Sequence, residues 1–489
     1  AIGSLNGAGV ASFQSRGMTT WELPGGYGRV KPDLVAAGHL VLGPTAGEAA
    51  GKCSGLSGTS VASPVVAGAV ALLASTVPVE RRAEVLSPAS IKQVLMESAH
   101  KVKRAGVFEQ GAGALDIEGA FRLLQRYIPR ASLLPPTLDL TDPFMWPFSR
   151  QPLYYGAMPV VFNVTIANGL GVTGHIDTAS IAWREEVAAG LHDGEEEEDI
   201  LDVRVEFPEA LWPWSGYLAV SLSVSESGRS FDGIVRGHLE VTVVSEGGTR
   251  DQNPRSTDIR LPITTSVIRT PPRNRRLLWD QYHNVPYPPE YSPRDYLGDD
   301  SDMLDRFGDH PHTNFRSLFD ALLDDGYYVE ILGSDWTCFE AENYGAILVV
   351  DTEGEISAKE MTKLERDVKR KGLSLVVFAD WYSADVMHQV RFVDDNTRMP
   401  WRPVTGGSNV PAINDFLLPS FGMALGGTVL DGVFALPGGK VHLASGNAIA
   451  RLPPGGVMIS VDSMKAAVVA GGGRAPSQGD VFRDVPVIG

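Results

Sequence analysis

The 489-residue sequence predicts an α/β protein built in three parts: an α/β segment, a β-sandwich and a Rossmann-like α/β domain. Three observations predict it. Helical signals dominate the second half of residues 1–128, short alternating runs fill 129–272, and from 273 to 489 continuous apolar runs alternate with amphipathic helical patterns. The length itself exceeds what one hydrophobic core usually organises.

In the first part, "GTSVASPVVAGAVALLAS" is small and apolar on nearly every side, which predicts a centrally buried helix with Ser60 at its start and Pro64 in its first turn. Ser87-Pro88 places a capping hydroxyl before a first-turn proline, and Ile91, Val94, Leu95 and Met96 follow at core-facing spacing. A helix to about His100 is expected. Another begins at Asp116, where Ile117, Ala120, Phe121 and Leu124 recur at three and four residues.

In the second part, "VVFNVTIAN", "YLAVSLSVS" and "HLEVTVVS" alternate strictly, which predicts strands with one buried and one wet face. "RTPPRNRR" reads as the linker closing the sandwich. In the third, "YYVEIL", "AILVVD" and "LSLVVFAD" are strands apolar throughout, separated by patterns such as "AKEMTKLERDVKRK". Such strands suit a parallel sheet covered on both faces. After Gly426 the chain turns Gly-rich and strand-like, and the α/β domain is expected to be incomplete at its C-terminus.

A net charge of −17 argues against nucleic acid as a partner, since phosphate recognition needs clustered Lys and Arg. The densest charge run, Glu195 to Asp199, is acidic and reads as a solvated loop. Cys53 and Cys338 are the two cysteines, too few for a disulfide framework. Asn163-Val164-Thr165 is a glycosylation candidate at Asn163. The longest apolar run, Ala62 to Ala74, is too short to span a bilayer, and "AIGSL" lacks the features of a signal peptide. The chain therefore reads as cut from a longer protein.

The chemistry centres on Ser60. A serine exposed at a helix N-terminus stands where free N–H groups and the helix dipole favour negative charge, as acyl transfer requires of an oxyanion site. The bland reading is a capping serine on a buried small-residue helix. Against it, Gly-Thr-Ser-x-Ala-Ser-Pro would arise by chance on the order of once in 10⁵ chains of this length.

That segment resembles the nucleophile segment of the subtilisin-like serine proteases. "FQSRGMTTWELPGGYGRVKPDLV", "FEQGAGALD", "LWPWSGYLA", "LWDQYHN", "GDHPHTNFR" and "FADWY" extend the resemblance over nearly the whole chain, toward a convertase of the secretory pathway. The resemblance implies that residues 1–128 are the C-terminal part of a subtilisin-like catalytic domain, with Ser60 as nucleophile and its N–H as one oxyanion donor. The family's Asp, His and oxyanion Asn precede the segment like "AIGSLNGAGV", so they fall outside this sequence. The isolated chain should then be nearly inert.

The resemblance also implies substrates that are luminal segments of membrane-anchored transcription factor precursors, cut after motifs with Arg four residues before the bond. It implies a luminal, membrane-anchored protein of the Golgi or endoplasmic reticulum, with calcium possible from the wider family. The chain departs from the pattern at "TDPFMWPFS", where the family carries cysteines and this sequence has none. A noncatalytic binding or scaffold module derived from a protease is the alternative.

Weaker constellations complete the reading. Asp33, His39 and Ser60 occur in triad order, but "KPDLVAAG" is scaffold in the family and six residues cannot separate a base from its orienter. Asp309, His310 and His312, with Asp280 and His283, have the types for a metal, although polar residues before "TNFRSLFDALL" more often start a helix, with Thr313 as cap. Cys338 lacks the glycines of a nucleophile elbow. "AGGGRAP" lacks the Lys-Ser/Thr of a phosphate loop. "LWPWSGY" suits either the sandwich core or a partner surface.

Overall fold

The computed structural model describes residues 1–7, 9–17, 28–45, 51–186, 199–246, 253–284, 310–352, 354–379, 381–389, 392–393, 398–401, 410–436, 438–466 and 481–488. The chain forms two compact units, Ala1–Thr270 and Pro271–Gly489. Each has its own core.

In the first unit, β1 (Ile2–Asn6) runs parallel to β2 (Leu34–Ala37), and β3 (Val41–Pro44) pairs antiparallel with β4 (Cys53–Leu56). Helix α1 (Thr59–Ser75) lays Ala62, Val66 and Leu73 against Leu34 and Ala36. The small-residue helix is therefore buried on one face, not centrally. Ser63, Pro64, Ala67, Gly68, Ala71 and Leu72 are exposed, because no described element covers them. Pro64 also lies deeper than the first turn, so it withholds the N–H that would have bonded the Ser60 carbonyl.

Helix α2 (Pro88–Ser98) starts at Ser87 with a reciprocal capping box to Ser90. Helix α3 (Ile117–Gln125) is capped by Asp116 Oδ1, which accepts the Gly119 N–H at 2.9 Å. Its Ala120 and Leu124 face the core, while Ile117 and Phe121 lie at its exposed flank.

The sandwich follows. One sheet has the order β8-β9-β6-β5, built from β5 (Ala131–Leu134), β6 (Val160–Asn168), β8 (Leu201–Glu206) and β9 (Ser215–Val224). The other is formed by β7 (His175–Glu186), β10 (Gly233–Ser245) and β11 (Arg255–Ile268), with two short strands at its edge. Phe162, Val164, Ile166, Val220, Val241 and Ile263 meet between them.

Strand β6 departs from the expected alternation: Phe162 to Asn168 are all buried. Its outer face is covered by α2, whose Gln93 donates to the carbonyls of Ala167 and Arg130, each at 2.9 Å. The "LWPWSGY" turn divides both ways. Leu211 is fully buried, Trp214 packs on Ala89, Leu134 and Ala167, and Trp212 is 67% exposed.

The second unit opens with a fully parallel sheet of order β13-β12-β14-β15: β12 (Arg276–Asp280), β13 (Tyr328–Leu332), β14 (Ala346–Val350) and β15 (Ser374–Phe378). Helices α4 (Arg316–Asp324) and α5 (Ala358–Lys371) connect its strands. Strand β14 is buried throughout, as its apolar run predicts, whereas β13 leaves Tyr328 and Ile331 half-buried and β15 exposes Ser374 and Phe378. Thr313 does not cap α4; Phe315 holds that position, and Thr313 Oγ1 donates to the His310 carbonyl. After α6 (Val410–Phe421) come four antiparallel strands, β16 (Ala424–Leu436), β17 (Gly439–Arg451), β18 (Ile459–Ala466) and β19 (Val481–Ile488). No described helix is long and apolar enough to cross a membrane.

Candidate active site

Ser60 is the second residue of α1, and its side chain is exposed. Two backbone links seat it. The Gly58 N–H donates to the Gly38 carbonyl at 2.8 Å, and the Gly58 carbonyl accepts from Val61 and Ala62 at 3.0 and 3.3 Å. Gly58 takes φ 157° and ψ 156°, a backbone conformation that glycine adopts without strain. Among the described residues neither the hydroxyl nor the N–H of Ser60 has a hydrogen-bond partner. The helix N-terminus thus offers a free N–H and a free hydroxyl side by side, which is the arrangement an oxyanion donor and its nucleophile need.

His39 is held elsewhere. Its Nδ1 lies 3.3 Å from Ser57 Oγ, which also accepts the Leu40 N–H at 2.9 Å, and its ring packs near Phe13. Asp33 faces Lys31 at 2.9 Å and Lys92 at 2.7 Å. Burial alone would raise Asp33, but the two lysines outweigh it and hold the carboxyl well below its ordinary range. Asp33 is committed to scaffold cations, and the three residues do not assemble a triad.

The hairpin that leads into α1 carries exposed apolar side chains: Leu40 at 64%, Leu42 at 75% and Leu56 at 60%. Single exposed leucines are ordinary, whereas three on the hairpin just before one helix N-terminus leave an apolar surface bare.

The other expected sites fare differently. Asn163 is 4% exposed in the middle of β6, and its Oδ1 has no partner among the described residues. A glycan needs an exposed amide nitrogen, so the sequon does not fit this fold. Cys53 and Cys338 are exposed free thiols, and Cys338 lies on a single 3₁₀ turn with no strand-to-helix elbow. Residues 195–198, Asp309 and the "AGGGRAP" stretch lie outside the described residues.

The described members of the metal set stay apart in role. His310 and His312 stack edge to face at 5.0 Å, and burial pushes His310 down to about 3 and His312 well below its ordinary value. Asp280 and His283 instead join Glu360. Among the described residues no group of His, Cys, Asp and Glu forms a metal cage. Sequence reasoning missed Glu360, whose burial depends on α5 packing against the Trp336 turn.

Comparison with known proteins accounts for the whole arrangement. Residues 1–113 match the subtilase family, 134–270 the third, Ig-like domain of MBTPS1, and 271–478 its fourth, GATase-like domain. The chain is 49% identical over 450 residues to subtilisin-like protease SBT6.1 of Arabidopsis thaliana. It is 50% identical over 454 residues to the membrane-bound transcription factor site-1 protease of Rattus norvegicus and 49% identical to that of Homo sapiens. Each match covers 92% of this chain and 42% of the relative, so the chain spans about two fifths of the proteins it resembles. With a subtilase segment followed by the Ig-like and GATase-like domains of that protease, the chain belongs to the site-1 protease family of subtilases.

Proposed function

We propose that Ser60 is the nucleophile of a secretory-pathway serine endopeptidase whose base, orienting Asp and oxyanion Asn come from sequence outside this chain. The observation that carries the reading is the bare N-terminus of α1, where a hydroxyl and an N–H stand unpartnered on an exposed apolar surface. Ser60 would attack a scissile carbonyl, pass its proton to the imidazole, form an acyl-enzyme and release it to water. The substrates in this reading are luminal segments of membrane-anchored transcription factor precursors, and the site of action is the Golgi or endoplasmic reticulum. The domain plan that goes with it is 1–128 for the end of the catalytic domain, 129–272 for the sandwich and 273–489 for the α/β domain.

The test compares the full-length parent protein with its Ser60→Ala variant, using a fluorophosphonate label and a peptide with Arg four residues before the bond. Labelling and cleavage should both vanish in the variant, and the 489-residue chain alone should neither label nor cleave. Labelling that survives Ser60→Ala would place the nucleophile elsewhere. A parent protein inert with Ser60 intact would favour the noncatalytic scaffold.

A further inference from the structure

We propose that Asp280, His283 and Glu360 form a proton-operated clamp, which ties the N-terminus of α5 and the Trp336 turn to the carboxyl end of β12 while His283 carries both ring protons.

The three groups come from separate elements. Asp280 ends β12, His283 lies in the turn that follows it, and Glu360 is the third residue of α5. His283 Nδ1 is 2.8 Å from Asp280 Oδ2, and Nε2 is 3.1 Å from Glu360 Oε1. Both carboxylates also reach Trp336: its indole N–H donates to Asp280 Oδ2 at 2.9 Å and its backbone N–H to Glu360 Oε1 at 3.0 Å. Glu360 Oε2 closes the capping box of α5 by accepting the Ser357 N–H at 2.9 Å. Asp280, His283 and Glu360 are all buried.

This geometry suits one protonation state. An imidazolium hydrogen-bonds Asp280 through Nδ1 and meets Glu360 through Nε2 as a close ion pair without a formed hydrogen bond; a neutral imidazole has one N–H, so its other nitrogen must turn a lone pair toward a buried carboxylate. Nδ1 makes the shorter contact and the Asp280 side is held by further N–H donors from Tyr282 and His283. The proton therefore leaves from Nε2, and Glu360 is the group that is set free. Among the described residues neither carboxylate has a lysine or arginine partner to replace the lost charge. Among the described residues the remaining facing groups are Tyr282, whose ring meets the imidazole edge-on, and Asp335, beside Trp336, which adds negative charge.

Burial alone would lower His283, but Asp280 and Glu360 outweigh it and hold the imidazole above its ordinary value of 6.5. A raised folded value means the clamp's contribution is fully present below 6.5 and is lost as pH rises through the folded value. The buried Arg276–Glu330 pair at the other end of β12, 2.9 Å apart, contains no histidine and serves as an internal reference.

The test follows the whole 489-residue chain, with histidines labelled at Cε1, by NMR between pH 5.5 and 8.5, and measures backbone hydrogen exchange in parallel. The resonance missing in His283→Gln should titrate above 6.5, and above that point the protection of the Trp336 and Ser357 amides should fall by up to about tenfold per pH unit beyond the intrinsic rate change. The amides of β12 next to Arg276 should not follow. Glu360→Gln should move the His283 titration down and flatten the pH dependence; it carries the test if His283→Gln fails to fold. Titration of His283 at or below 6.5, or amide protection that ignores it, overturns the clamp.

Discussion

Gly38 has no side chain, and its surroundings leave no room for one. A Cβ there would meet Ser4 Oγ at 2.5 Å, the Gly58 carbonyl at 2.8 Å and Ala62 Cβ at 2.9 Å. Two of those contacts are on the segment that carries Ser60, so Gly38→Ala should push the start of α1 away and destabilise the first unit by about 1–3 kcal/mol in chemical denaturation. Gly68, inside the same helix, has nothing within 4 Å of its Cβ position. Gly68→Ala should therefore stabilise the chain by about 0.5–1 kcal/mol. In the full-length parent the sign should reverse if upstream sequence covers this face of α1, as the proposed catalytic domain requires. A gain in both proteins would leave the face open and count against that domain.

At the scale of elements, what could be read from sequence was set by local signals. Ser87-Pro88 and Asp116 each place a helix start to the residue, because a cap is decided by neighbours in the chain. Helix α5 also ends where Gly372 takes φ 66°, a conformation that glycine adopts without strain. Strand β6 could not be read this way. Asn163, Thr165 and Ala167 look like a wet face in sequence, yet all three are buried, Ala167 against Ala89 and Gln93 of α2. That docking rests on Gln93, whose amide satisfies two carbonyls and accepts from the Tyr127 hydroxyl. Gln93→Leu keeps the bulk but strands those groups, and should cost about 1–3 kcal/mol per unsatisfied partner in equilibrium unfolding. A loss below about 0.5 kcal/mol would show that water takes the place of the amide.

At the scale of the molecule, the candidate nucleophile was legible because one short motif carries it, whereas the buried ion pairs of the second unit were not. Arg276 and Glu330 sit on adjacent strands 54 positions apart, and nothing in either strand's apolar run announces a charge pair. In the fold, Glu330 accepts from Arg276 at 2.9 Å and from the Tyr344 hydroxyl at 2.7 Å, with both charged side chains 4% exposed. Arg276→Met leaves the carboxylate buried without its cation and should cost about 3–5 kcal/mol, while Arg276→Met with Glu330→Leu should recover most of that loss. Because each compact unit has its own core, calorimetry should show the cost in one transition alone: Arg276→Met should lower the transition of residues 271–489, and Gln93→Leu that of residues 1–270. If either substitution moves both transitions equally, the units unfold as one cooperative body and the independence of their cores is refuted.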